Sequence, residues 1–254
     1  MKGCLPLLGR FLYALLYPRP LIGLLYLPRF FRDLFIYRKA SSGETIAWRD
    51  MYPSLLDRVI KTPFDPHYFY QGAWLAREVA ASGVREHVDI GSSVMTIGAL
   101  SGFIRTTFVD YRPLQAVLPG LNCHAGDINH LFFEDNSVTS LSCMHVIEHI
   151  GLGRYGDPLD PNGSICAALE LQRVLKPGGR LFLSVPVGRE RVCFNSHRIF
   201  APDRIIVLFS GLKLISFSYV SDDGQFFNGR PTAEAAGNEY ACGMYVFKKE
   251  GTSV

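Results

Sequence analysis

The densest group of reactive side chains in the chain is His145-Val146-Ile147-Glu148-His149, where two imidazoles and a carboxylate fall within five residues. Three chemistries fit these types. In an H-x-x-E-H reading the histidines stand a turn apart on a helix and bind zinc, with the glutamate as general base. In a second, His145, Glu148 and His149 hold a divalent ion that orients a substrate's hydroxyls. In a third no metal is involved: the residues line a cleft, and one neutral imidazole takes a proton from a hydroxyl or amine. A structural alternative is a helix N-terminus whose polar residues only cap and pack. The cluster follows directly on an apolar run, Val138 to Met144, and no downstream carboxylate ligand is evident. That context favours the third reading, and no metal is assigned.

A second constellation is spread over the preceding residues. Val88-Asp89-Ile90-Gly91-Ser92-Ser93 is a short apolar run that ends in an acid, a glycine and two small hydroxyl residues. Small side chains there let a phosphate, ribose or amino-acid group approach the backbone, and the turn after a first parallel strand exposes amides to it. Asp110 follows Gly91 by 19 residues, at the end of a second apolar run from Phe103 to Val109. A carboxylate at that place can accept both ribose hydroxyls of a nucleoside lying across the strand ends. Leu121 to Ile128 repeats the pattern, so Asp127 can accept from an exocyclic amine and Ile128 offers its amide or an apolar surface. The alternative for Asp127 is a turn residue that bonds its own backbone.

These residues need a frame that brings strand ends together. His67 to Ser82 carries a helical apolar stripe stopped by Gly83 and leads into the first strand. Ala168 to Leu175 is an amphipathic helix, which a Lys176-Pro177-Gly178-Gly179 turn connects to a buried strand through Pro186, a crossover of the parallel-sheet kind. Leu212 to Val220 and Gly243 to Lys249 are further strands.

The chain has 254 residues and a net charge of +3, which conceals an asymmetry. Residues 1–39 hold seven basic residues against Asp33 alone, so the remaining 215 carry a net −3. A folded body without a basic face argues against nucleic acid as a partner. Cys4, Cys123, Cys143, Cys166, Cys193 and Cys242 are irregularly spaced, several of them within apolar runs, and read as buried thiols of a reducing, cytoplasmic compartment. Between Leu5 and Tyr37, Arg10, Pro18, Arg19, Pro20, Pro28 and Arg29 interrupt a Leu-, Tyr- and Phe-rich stretch, which disfavours a spanning helix. Two readings stay open for this stretch. It is either a segment lying in a membrane interface, giving peripheral membrane contact through residues 1–39, or an extension packed over the ligand cleft. The expected organisation is an apolar, basic extension over 1–40, a linker over 41–66 whose start lies in the Ala40-Ser41-Ser42-Gly43 run, and a domain over 67–254.

Taken in order, V-D-I-G-S-S, F-V-D, G-D-I, S-C-M-H-V-I-E-H-I and L-K-P-G-G-R-L-F-L-S-V-P resemble class I S-adenosylmethionine-dependent methyltransferases, over about residues 67–249. The segments 154–161 and 194–200 resemble a subgroup catalogued as domain of unknown function 268. The resemblance implies an α/β fold with a Rossmann-like, doubly wound seven-stranded sheet whose last two strands end it antiparallel. It also implies S-adenosylmethionine as cofactor and methyl transfer to an oxygen or nitrogen of a small-molecule or carbohydrate-like acceptor. By its motifs, Asp89, Gly91 and Ser93 lie against the methionine part of the cofactor, Asp110 on the ribose, Asp127 with Ile128 on the adenine, and Met144 with His145 at the cleft floor. His145, Glu148, His149 and His197 are the catalytic candidates, with Tyr155 and Asn195 beside them. Ser93 stands where the family usually has a second glycine, so a catalytically inactive scaffold or partner subunit at a membrane surface is the alternative. A nicotinamide dehydrogenase fits less well, because the fingerprint lacks its second and third glycines.

Overall fold

The computed structural model describes residues 19–41 and 43–251, and the chain divides into two compact units after Phe64. The expected extension is therefore described only from Arg19, and Ser42 of the expected linker also lies outside the described residues.

In the first unit, helix α1 (Arg19–Leu24) is followed by helix α2 (Leu27–Ala40) and a short 3-10 turn at Trp48–Asp50. Pro28 is in the first turn of α2, where its missing N–H costs nothing. Among the described residues no helix is long and apolar enough to cross a membrane.

The second unit opens with helix α3 (Pro66–Ser82). Asp65 caps it by accepting from the amides of His67 and Tyr68, and Gly83 ends it in the left-handed conformation. Strand β1 (Glu86–Ile90), helix α4 (Val94–Leu100), strands β2 (Arg105–Asp110), β3 (Leu121–Ala125) and β4 (Val138–Met144), helix α5 (Gly163–Val174) and strand β5 (Leu175–Val187) follow. After a small hairpin of β6 (Arg191–Cys193) and β7 (His197–Ile199) come helix α6 (Pro202–Leu208) and strands β8 (Lys213–Val220), β9 (Phe226–Phe227) and β10 (Ala241–Lys248). The sheet order is β3-β2-β1-β4-β5-β10-β8-β9. Strands β1 to β5 pair in parallel, and β10 runs antiparallel to both β5 and β8. Seven strands thus stand in the expected doubly wound arrangement, and the two-residue β9 extends its edge.

Alternate strand residues feed two cores, as the two-residue period of a sheet covered on both faces requires. Leu181, Leu183, Tyr245 and Phe247 pack with Ala167, Leu171, Ile205 and Phe209 on one face. Phe182, Met244 and Val246 pack with Trp74, Leu75, Ile97 and Leu100 on the other.

Three expectations change in detail. Phe103 is exposed in the turn before β2 and outside the strand, which begins at Arg105. Lys176-Pro177-Gly178-Gly179 is an irregularity inside β5: the pairing with β4 passes from Leu175 to Arg180, and Gly178 has φ of +82°. Of the five described cysteines, all free thiols, only Cys143 and Cys242 are buried and Cys166 is exposed. Cys166 lies in α5 but outside the set that this helix buries, Gly163, Ser164, Ala167, Ala168, Leu171 and Val174.

Candidate active site

The carboxyl ends of β1, β2 and β3 supply the first half of the site. Gly91 leaves β1 with φ of +67°, a conformation that favours glycine. A Cβ placed on it would lie 3.2 Å from Val146 and 3.7 Å from the Asp110 Oδ2 atom, so glycine and carboxylate share one small cradle. The Asp110 Oδ1 atom accepts from the Arg112 amide at 2.7 Å, which leaves Oδ2 on the Gly91 side. Ser93 stands at the N-terminus of α4 without a side-chain capping bond. Asp127 accepts from the Asn129 amide at 2.9 Å, the backbone-bonding turn role weighed above, while its Oδ2 atom lies 3.7 Å from His130 Nδ1. Ile128 and Met144 are buried.

Asp89 occupies a different position from its neighbours. It is fully buried, and its oxygens accept from the Ser92 amide (3.0 Å), the Ser92 hydroxyl (2.7 Å) and the Ser142 hydroxyl. Since Ser142 gives its one proton to Asp89, His87 Nε2 must donate to the Ser142 oxygen, and Nδ1 must accept from Ser140. Ser92 Oγ also accepts from the Met144 amide at 3.0 Å. This continuous network ties β1 to β4 beneath the glycine turn. Burial raises the Asp89 carboxyl to about 6 and lowers the His87 imidazole to about 4.

The second half of the site follows β4. Residues 145–150 form a turn, not a helix. The His145 amide donates to the Ser184 carbonyl as the strand pairing requires, and His145 then takes φ of +56°, so a helix cannot start there. The H-x-x-E-H zinc geometry and the helix-N-terminus alternative both place these residues on a helix, and the structure has a turn there instead. Among the described residues no group of three or more His, Cys, Asp or Glu is disposed to hold a metal ion.

The turn carries a buried ion-pair network. Glu148 is completely buried, and neither of its oxygens has a hydrogen-bond partner. His145 Nδ1 lies 3.2 Å from Glu148 Oε1, and His149 Nε2 is 3.6 Å from the same oxygen. His145 Nε2 is 3.2 Å from the Cys242 sulfur. Burial works against charge on His145, but Cys242 and Glu148 outweigh it and raise the imidazole well above its usual range. Burial works against the Glu148 carboxylate too, and the nearby His145 cation lowers it nonetheless. His149 Nδ1 donates to the Ser196 carbonyl at 2.6 Å, and burial lowers its pKa.

The β6–β7 hairpin holds this turn in place. The Arg198 amide donates to the Glu148 carbonyl at 2.9 Å, and its guanidinium reaches the Ile150 carbonyl (2.6 Å) and the Ser164 hydroxyl (3.0 Å). Asp157 gathers the amides of Gly151, Gly153 and Tyr155, which brings the Tyr155 ring to 5.6 Å from His149. Asn195 is exposed in the hairpin turn.

His67, Tyr68 and Tyr240, which the sequence motifs did not single out, join the candidate His197 here. His67 stacks on Tyr240 at 5.3 Å between ring centroids, His197 packs on the same ring at 5.1 Å, and Tyr68 lies 6.0 Å from His145. His67 and His197 are each lowered to about 4, first by burial. The four histidines therefore divide into two pairs. His145 and His149 have their ring nitrogens engaged around Glu148, whereas His197 bonds only through Nδ1, to the Ser196 hydroxyl at 2.8 Å, and His67 has no ring hydrogen bond among the described residues. The Asp65-Pro66 helix start was the available clue to His67, because it sets His67 in the first turn of α3.

The architecture and the site edge together define the class I S-adenosylmethionine-dependent methyltransferase fold. Residues 130–249 match the family described as "Caenorhabditis protein of unknown function, DUF268", the subgroup that segments 154–161 and 194–200 resemble. Among solved structures, the N-methyltransferase NodS from Bradyrhizobium japonicum WM9 in complex with S-adenosylhomocysteine is similar at 17% identity. Its TM-score is 0.54, covering 80% of this chain and 92% of NodS. Burkholderia thailandensis 1,6-didemethyltoxoflavin-N1-methyltransferase, with 1,6-didemethyltoxoflavin and S-adenosylhomocysteine bound, is similar at 14% identity with a TM-score of 0.51, covering 73% of this chain and 79% of that one. The [4+2]-cyclase SpnF is similar at 15% identity with a TM-score of 0.53, covering 71% and 81%. At these identities the likeness is one of fold, and the cyclase marks how far chemistry can vary on it. No curated protein matches the chain by sequence.

Proposed function

We propose that this protein is an S-adenosylmethionine-dependent methyltransferase acting on an oxygen or nitrogen of a small-molecule or carbohydrate-like acceptor. The observation that carries this reading is the cradle at the switch point between β1 and β4, where the Asp110 carboxylate reaches the glycine turn of Gly91. In this reading the turn at Gly91 and Ser93 takes the methionine part, Asp110 the ribose, and Asp127 with Ile128 the adenine, with Met144 in the floor. Asp89 acts from beneath, holding Ser92 and so the shape of the turn. S-Adenosylhomocysteine bound to NodS and to the toxoflavin enzyme supports this choice of cofactor.

The cofactor supplies an already reactive methyl group, so positioning and proton removal are what the protein must add. Within the proposed site, Glu148, His145 and His149 form the buried frame, and His197 and His67 keep ring nitrogens for the acceptor. Both are neutral at pH 7, as a proton acceptor must be. Neutral imidazoles and the phenols of Tyr68 and Tyr240 suit an uncharged hydroxyl-bearing molecule, which is why a carbohydrate-like acceptor is preferred.

The test is calorimetric and thermal-shift titration with S-adenosylhomocysteine, using NADH as control ligand. Saturation at about a hundred times Kd should add about 2.7 kcal/mol of stability to the wild type. Asp110→Ala and Gly91→Val should lose most of that gain while remaining folded. Absence of saturable binding by the wild type would overturn the reading in favour of a non-catalytic scaffold.

A further inference from the structure

We infer that the first unit is a docking element for an anionic membrane surface, with α2 lying in the plane of the headgroups. The starting observation is a mismatch between composition and burial. Between Ile22 and Phe64, 14 large apolar side chains are exposed, against 17 in the whole remainder of the described chain. None between those two residues is buried, and α2 itself buries no residue. Exposed apolar groups at this density mark a surface made to be covered.

Charge selects what covers it. Leu27, Phe31, Leu34 and Phe35 share one side of α2 by their spacing of three and four, with Phe31 49% and Phe35 70% exposed. Arg29 and Arg32 fall on the other side together with Ile36, Lys39 stands at the border beside Phe35, and Arg38 closes the helix. Over residues 19–64 eight basic residues stand against four acids, Asp33, Glu44, Asp50 and Asp57, and α2 itself holds four of the basic residues and only Asp33. Guanidinium groups also lie over aromatic rings, Arg29 over Tyr26 at 5.0 Å and Arg38 over Trp48 at 5.3 Å. An apolar, aromatic stripe flanked by cations is complementary to acyl chains below and acidic headgroups above. A protein partner would need an acidic rim around an apolar groove, whereas a bilayer presents both features everywhere.

The experiment is co-sedimentation of the full chain with phosphatidylcholine vesicles containing about 30% phosphatidylserine, a strongly anionic surface. Pure phosphatidylcholine vesicles, about 0.5 M salt, and lipid-free sedimentation equilibrium are the other arms. The wild type should partition onto anionic vesicles at least about tenfold better than onto neutral ones, and salt should weaken it. Phe31→Asp with Phe35→Asp, and separately Arg32→Glu with Lys39→Glu, should each lower partitioning about tenfold or more. Unchanged helical circular dichroism together with unchanged thermal unfolding would show that these variants keep α2 and the second unit folded. Equal binding to both lipids, binding that survives both double variants, or a lipid-free oligomer that the Phe31/Phe35 variant dissociates would overturn the inference. The last result would identify a second copy of this chain as the occupant. None of these arms depends on cofactor binding, so this inference can fail while the methyltransferase reading stands.

Discussion

From Trp74 onward the chain buries large apolar side chains on both faces of one sheet, whereas between Ile22 and Phe64 it buries none. Both stretches are rich in Leu, Phe and Tyr, so hydrophobic content alone does not decide which becomes a core. What differs is the scaffold. In the second unit, strands alternate their side chains between two helical layers, so each apolar residue meets others already in place. In the first, α1, α2 and the 3-10 turn give stripes but, among the described residues, bury no large apolar side chain against one another. The second unit is thus expected to derive its stability internally, and the first to depend on what it docks against.

That contrast breaks most visibly at Glu148, the one buried group in the second unit that is charged and carries no hydrogen bond. Removing a partner from a buried ion pair leaves the other charge stranded and costs about 3–5 kcal/mol. Glu148→Leu is expected to destabilise the protein by that amount in denaturant titration, with His145 left charged or forced neutral. A cost below about 1 kcal/mol would mean that water or a ligand, not His145, normally compensates this carboxylate.

The next effect is pH dependence. Burial lowers His67, His87 and His197 from 6.5 to about 4. Between pH 6.5 and 4 the unfolded chain therefore holds protons on these imidazoles that the folded chain does not. Stability is full above 6.5 and falls as pH is lowered through the window, each group contributing up to about 1.4 kcal/mol per pH unit. Asp89 acts in the opposite sense: burial raises it from 3.8 to about 6, so between these values the folded form holds the extra proton and offsets one histidine. Stability measured by urea denaturation from pH 7 to 4 should decline, and His67→Gln or His197→Gln should each flatten the slope by up to one proton. An unaltered slope in both variants would mean that these rings are solvated, and would weaken their assignment as neutral bases on the acceptor side.

The fold was legible because its signals are local. V-D-I-G, F-V-D and G-D-I each end a strand in a small or acidic residue, and the structure sets Gly91, Asp110 and Asp127 at neighbouring carboxyl ends. The acceptor side was legible only in part, because topology assembles it. Helix α3 runs into β1 from the opposite edge, so its first turn, with His67 and Tyr68, sits where β1 ends; the Ser184 hydroxyl donating to Gln71 at 2.7 Å fixes it there. Strand β10 runs against its neighbours, so its beginning, next to Tyr240 and including Cys242, lies at the same edge. Beyond the Asp65-Pro66 helix start, which sets His67 in the first turn of α3, nothing near residues 67 or 240 in the sequence reports this meeting. The H-x-x-E-H spacing misled for a related reason, since it matches a helical face while the strand pairing of His145 imposes a turn.

The smallest expected effect gives the sharpest form of the comparison. Leu75 is fully buried in α3, and Ile60 is fully exposed in the first unit. The same kind of truncation should cost about 2–5 kcal/mol as Leu75→Ala, through lost transfer energy and the cavity left behind. As Ile60→Ala in lipid-free solution it should stay within about 0.5 kcal/mol, because no contact is lost. Paired denaturant titrations of the two variants measure that ratio directly. A cost above about 1 kcal/mol at Ile60 would mean that this side chain is covered in the free protein, and the first unit would then have to be regarded as part of the folded body instead of a surface awaiting its partner.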